Sequence, residues 1–119
     1  MADNKEYMTH QDNMGTIQFS EDVVATIATT TALEVDGVGG LMSANVSDYL
    51  GGKKLSNKGV RVEMEDGAIV VYLFIMIRYG NAVAEVAGKV QSGVFAALQD
   101  MTGFHVKAVN VHVGGICFE

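Results

Sequence analysis

The chain reads as an α+β protein, a two-layer sandwich in which two helices pack on one face of a mostly antiparallel sheet. Three observations predict this. Apolar residues recur at helical spacing in two separate stretches, after Ser20 and after Asn81. An Asp66-Gly67 pair joins two strand-like runs, and positive φ angles at such a pair suit a two-residue hairpin. A last run, Phe104 to Val113, alternates Val109, Val111 and Val113 with Ala108, Asn110 and His112. The order is strand, helix, hairpin, helix, strand, which places the helices on one side of the sheet.

Each element has its own signal. Residues 1–14 are mostly polar and lack periodicity, so they are expected to be a flexible leader to one domain spanning residues 15–119. Gly15 to Phe19 is a short strand with Ile17 and Phe19 on one face. Ser20 is a helix N-cap, followed by Glu21 and Asp22 at the positive end of the helix dipole. Val24, Ile27, Ala28 and Thr31 carry that helix to about Glu34 or Val35. Residues 36–58 show no long period and are expected to form a long loop, with Val38 to Met42 extended and Ser47 to Leu50 a helical turn.

Val60, Val62 and Met64 alternate with Arg61, Glu63 and Glu65, the pattern of a half-solvated strand. The return run, Ala68 to Tyr79, is apolar on both faces until Arg78, as in a central strand covered on both sides or closed on one side by a partner. The second helix runs from about Ala82 to Met101, with Val83, Val86, Val90, Val94, Ala97 and Met101 as its apolar stripe, reinforced by Ala87 and Leu98. Gly103 supplies its left-handed cap. Gly114-Gly115 is expected to loosen the chain after the last strand.

Composition narrows the function classes. The chain has 119 residues, 49% hydrophobic and 18% charged, which suits one folded core. A single cysteine, Cys117, rules out an intrachain disulfide and fits a reducing compartment. The net charge of −6 disfavours nucleic acid, whose phosphates require clustered cations. Met1 to Met14 lacks the apolar core of a secretory signal, and the longest strongly apolar run, Ala68 to Ile77, is half of what a membrane-spanning helix needs.

Candidate reactive residues each have a plainer explanation. His105 and His112 are seven apart, so a regular strand points them to opposite faces, and with Cys117 a zinc site would still need more ligands. Cys117 lies between Ile116 and Phe118, the setting of a packed, inert thiol. Gly51-Gly52-Lys53-Lys54 lacks the full phosphate-loop pattern. No catalytic, metal or cofactor-binding residue is expected.

Two surfaces remain. Lys53, Lys54, Lys58 and Arg61 are half of the eight Lys and Arg residues, gathered into nine positions. They form a solvated loop or a docking site for an acidic partner or membrane headgroups. Tyr72, Phe74 or their neighbours fall on the sheet face opposite the helices, where a bare apolar surface signals association.

The segment Val109-Asn110-Val111-His112-Val113-Gly114-Gly115-Ile116-Cys117-Phe118 resembles the closing motif of the alkaline shock protein family of bacterial envelope-stress proteins. Ile17 to Val24 resembles its opening strand and helix start, and Glu34-Val35-Asp36-Gly37-Val38-Gly39-Gly40 its E-V-x-G-V turn. Tyr79-Gly80, Glu85-Val86-Ala87 and Met101-Thr102-Gly103 are similar to its second helix and ends. The ordered set covers residues 15–118. Ala84 departs from the family, whose members often carry proline there.

The resemblance implies a cytoplasmic protein linked to cell-envelope homeostasis, in some members held at the membrane by an integral partner. It contributes no catalytic residue or cofactor. The expected function is therefore that of an interaction or scaffold protein, not an enzyme, which self-associates or binds a membrane-anchored partner. The alternative is an RNA-binding or small-ligand regulatory domain. Compact α+β domains with such loops do bind RNA, but the net charge and the lack of an aromatic ladder on a basic face count against it.

Overall fold

The structure, a computed structural model, describes residues 7–42 and 59–118. Strand β1, Tyr7–Asp12, pairs antiparallel with β2, Gly15–Ser20, in register from Tyr7↔Ser20 to Asp12↔Gly15. Here the structure corrects the sequence reading, which expected a flexible leader as far as residue 14. An exposed strand needs no apolar alternation, so periodicity does not reveal it. Thr9 and residues 13–18 are indeed exposed. At the root of the ribbon, Phe19 meets Phe104 edge-on with ring centroids 5.7 Å apart.

Helix α1, Glu21–Leu33, begins directly after Ser20. Ser20 has the extended backbone of an N-cap without the side-chain bond, so the acidic first turn supplies the compensating charge. Val24, Ala28 and Ala32 are fully buried. Their spacing of four residues is one helix face, while Val23 and Leu33 on the other side stay largely exposed.

The main sheet is built on β5, Ala68–Arg78. Strand β4, Val60–Glu65, pairs antiparallel with its first half, from Val60↔Leu73 to Glu65↔Ala68. The turn between them places Asp66 at φ 54° and Gly67 at φ 79°, as the Asp-Gly pair predicts. Strand β3, Val38–Leu41, pairs antiparallel with the second half, from Val38↔Ile77 to Leu41↔Ile75. β3 and β4 therefore follow one another along the same edge of β5.

Helix α2, Val83–Thr102, carries the chain across to β6, Val106–Cys117, which lies parallel to β5 on its other side. A parallel neighbour requires such a crossover, so one parallel pair enters an otherwise antiparallel sheet. β6 runs through Gly114-Gly115 rather than ending at Val113. A register shift opposite Ile75 and Met76 absorbs the extra residue. Gly103 ends α2 at φ 77°, and its N–H reaches the Gln99 carbonyl at 3.0 Å.

The core lies between the helices and one sheet face. Ile69, Val71, Leu73, Ile75 and Ile77 of β5 are all fully buried and cluster with Val86, Val90, Val94 and Leu98 of α2. The expected α2 stripe was too wide. Val83 is 41% and Met101 65% exposed, because the buried line runs in steps of four residues from Val86 to Thr102 and leaves both ends of the stripe to one side.

Candidate interaction surface

The sheet face opposite the helices is laid out by strand register. Glu63, Val70 and Ala108 form one row, and Arg61, Tyr72 and Asn110 the next. Phe74 pairs with His112, and Met76 lies between Gly40 and Gly115. Along this face Tyr72 and Met76 are half-buried, and Asn110 and His112 are exposed.

Phe74 does not present its ring as the sequence suggested. It is only 3% exposed. The His112 imidazole packs against it with ring centroids 5.0 Å apart, and the Met42 sulfur reaches across to Gly114, where an added Cβ would collide with it. A large ring with no third layer above it thus borrows cover from flanking strands. Tyr72 remains the aromatic residue on this face that a partner can reach.

The Phe74 backbone also fixes the edge. Its N–H donates to the Gly59 carbonyl at 2.9 Å, and its carbonyl accepts from the Met42 N–H at 2.8 Å. The end of β3 and the start of β4 thus meet at one residue. Gly59, at φ 76°, has no room for a side chain, since a Cβ would clash with the Met42 carbonyl oxygen.

Of the four clustered basic residues, Lys53, Lys54 and Lys58 lie outside the described residues. Arg61 is half-buried on β4, and its Nε donates to Glu63 Oε2 at 2.9 Å. Residues two apart on a strand share a face, which is why this pair forms. Lys107 donates to Glu65 Oε1 at 3.0 Å, and Lys89 lies 3.8 Å from Glu85. The hydrogen bond that Lys107 donates to Glu65, reinforced by the carboxylate charge, raises the Lys107 pKa above the usual lysine value. Carboxylate partners for these three cations weaken the case for a nucleic-acid surface on the described part of the chain.

The histidines and the cysteine do not converge. His105 precedes β6 and His112 lies within it, roughly 23 Å further along at strand rise. Cys117 is half-buried at the far end, its Sγ filling the space a Cβ would take at Gly39. Among the described residues no group of three or more His, Cys, Asp or Glu could hold a metal ion.

Sequence reasoning missed Met42 and Met76, the two thioethers that flank Phe74. It also missed the open groove of roughly 410 Å³ lined by Gln91, Ser92, Phe95, Lys107, Ala108 and Val109. In that groove the Gln91 side-chain amide donates to the Val109 carbonyl at 3.1 Å. No helix among the described residues is long and apolar enough to cross a membrane.

By fold the molecule is a two-layer α+β sandwich with one helix-free sheet face. Solved structures share this architecture: the MamM CTD in its copper form matches with a TM-score of 0.54 at 15% identity, over 79% of this chain and 84% of that one. A variant of that domain matches with a TM-score of 0.51 at 17% identity, over 80% and 94%. Identities this low speak to the fold alone.

The chain itself belongs to the alkaline shock protein family, of cell envelope-related function, whose model matches residues 9–118. Among its relatives, the uncharacterised Bacillus subtilis protein YqhY is 31% identical over 94% of this chain and 85% of its own. YloU from the same organism is 32% identical over 86% and 88%. An uncharacterised Streptococcus pyogenes protein is 33% identical over the same shares.

Proposed function

We propose that this is a non-catalytic interaction protein of the cell envelope. It resides in the cytoplasm, self-associates, and is drawn to the inner face of the membrane by a membrane-anchored protein. The observation that supports this most is the helix-free sheet face, where half-buried Tyr72 and Met76 lie beside exposed Asn110 and His112. An aromatic residue ringed by polar neighbours is the usual build of a contact surface. Family membership supplies the link to the envelope. In this reading affinity comes from burying the apolar part of the face, while Lys53, Lys54 and Lys58 set orientation and association rate.

The test is capture of detergent-solubilised envelope proteins from the native host on immobilised protein. The wild type is expected to retain an integral membrane protein. Tyr72→Ala, and separately Lys53→Glu with Lys54→Glu, should retain much less of it while unfolding at nearly the wild-type temperature. Equal capture by Tyr72→Ala would remove the sheet face from the account. Unchanged capture by the double lysine variant at low salt would remove the basic cluster.

A further inference from the structure

The two edges of the main sheet are built differently. On one side stand β3 and β4, four and six residues long, with a register shift in β3 and with Arg61, Glu63 and Glu65 along β4. Short, bulged, charged strands are how proteins discourage edge-to-edge pairing. On the other side β6 is twelve residues long, carries its one Lys at Lys107, and has no Asp, Glu, Arg or Pro. Among the described residues it pairs only with β5.

Backbone alternation shows which groups face outward. Phe74 turns its N–H and carbonyl toward Gly59 and Met42, so Leu73 and Ile75 turn theirs toward β6. In the parallel register this leaves Val109, Val111 and Val113 pointing away from the sheet. The Gln91 bond to the Val109 carbonyl agrees, since it arrives from outside. The outward backbone beyond Val109 is thus that of Val111 and Val113, up to the Gly114-Gly115 irregularity.

The same chain carries a strand in need of a neighbour. The β1–β2 ribbon forms its own two-stranded sheet and is about 20 Å long at strand rise. Two-stranded ribbons are marginally stable in water. Its fourteen residues hold one carboxylate and no Lys, Arg or Pro. With Asp12↔Gly15 closing the turn, alternation turns the backbone of Thr9 outward from the ribbon.

We propose that β1 of one copy adds as a further strand to the β6 edge of a second copy. This inference rests on the self-association in the reading above and gives it a site. Main-chain hydrogen bonds would hold the contact, as in other strand additions. The fit of two edges in one chain, each with a single charged residue and neither paired on its outer side among the described residues, is what selects a second copy as the occupant.

Sedimentation velocity and crosslinking test this together. Thr9→Pro removes an outward donor, and proline is tolerated on an edge strand. It should weaken self-association about tenfold or more and leave the thermal unfolding of the core unchanged. For crosslinking, Thr9→Cys and Asn110→Cys are made in separate copies, each also carrying Cys117→Ala, one of them isotope-labelled. The mixture is treated with a short bismaleimide. Products joining Thr9→Cys to Asn110→Cys are expected to dominate. Predominance of same-site products, or an unaltered assembly in Thr9→Pro, would overturn the inference and leave self-association standing. A wild type that stays monomeric at every concentration would overturn both.

Discussion

At the scale of single residues, two glycines do work that their sequence context only hints at. Gly39 lies beneath the Cys117 sulfur, at a backbone geometry any residue can adopt, so the constraint there is space alone. Gly39→Ala is expected to cost about 1–3 kcal/mol by overpacking. In a Cys117→Ala background most of that cost should vanish, because the remaining neighbours sit at ordinary contact distance. Equal destabilisation in both backgrounds, measured by chemical denaturation, would refute the contact. Gly59 differs, since it combines φ 76° with a clash against backbone. Gly59→Ala should therefore cost about 2 kcal/mol or more, and no change at Cys117 should relieve it. The sequence shows that both positions are glycine, but the atoms that demand it come from residues 78 and 17 positions away.

At the scale of elements, the strands and helices that bury an apolar stripe were the legible ones. The β4–β5 hairpin announces itself through Asp66-Gly67, and α2 through valines spaced by four and its Gly103 cap. Of the β1–β2 ribbon, β2 was legible as the Gly15 to Phe19 strand, whereas β1 was not, because residues 1–14 carry no apolar period to read. The width of the α2 stripe was also misjudged, as spacing alone does not say where the sheet stops. That distinction is measurable. Leu98→Ala should destabilise the protein by about 2–5 kcal/mol. Met101→Ala, at 65% exposure, should fall within about 0.5 kcal/mol of the wild type. Similar losses for the two would mean that α2 is rotated relative to the sheet.

At the scale of the whole molecule, the sandwich buries one sheet face under two helices and leaves the other to side chains from its own strands. The sequence predicted that second face but not its repair. Phe74 is covered by His112 and flanked by Met42, so the accessible part of that face is centred on Tyr72, Met76 and Asn110. The relative placement of these residues depends on β6 lying parallel to β5, a pairing that local patterns do not encode. Motifs spread along residues 15–118 brought the family within reach of the sequence, and the match to residues 9–118 establishes it. In the function proposed above, such a domain works by contact at the envelope. Crosslinking in cells of the native host, followed by mass spectrometry of separated membrane and cytosolic fractions, tests this most directly. The protein is expected in the membrane fraction, joined to an integral membrane protein and to further copies of itself. Recovery from the cytosol alone, with crosslinks only to ribonucleoproteins, would contradict that function.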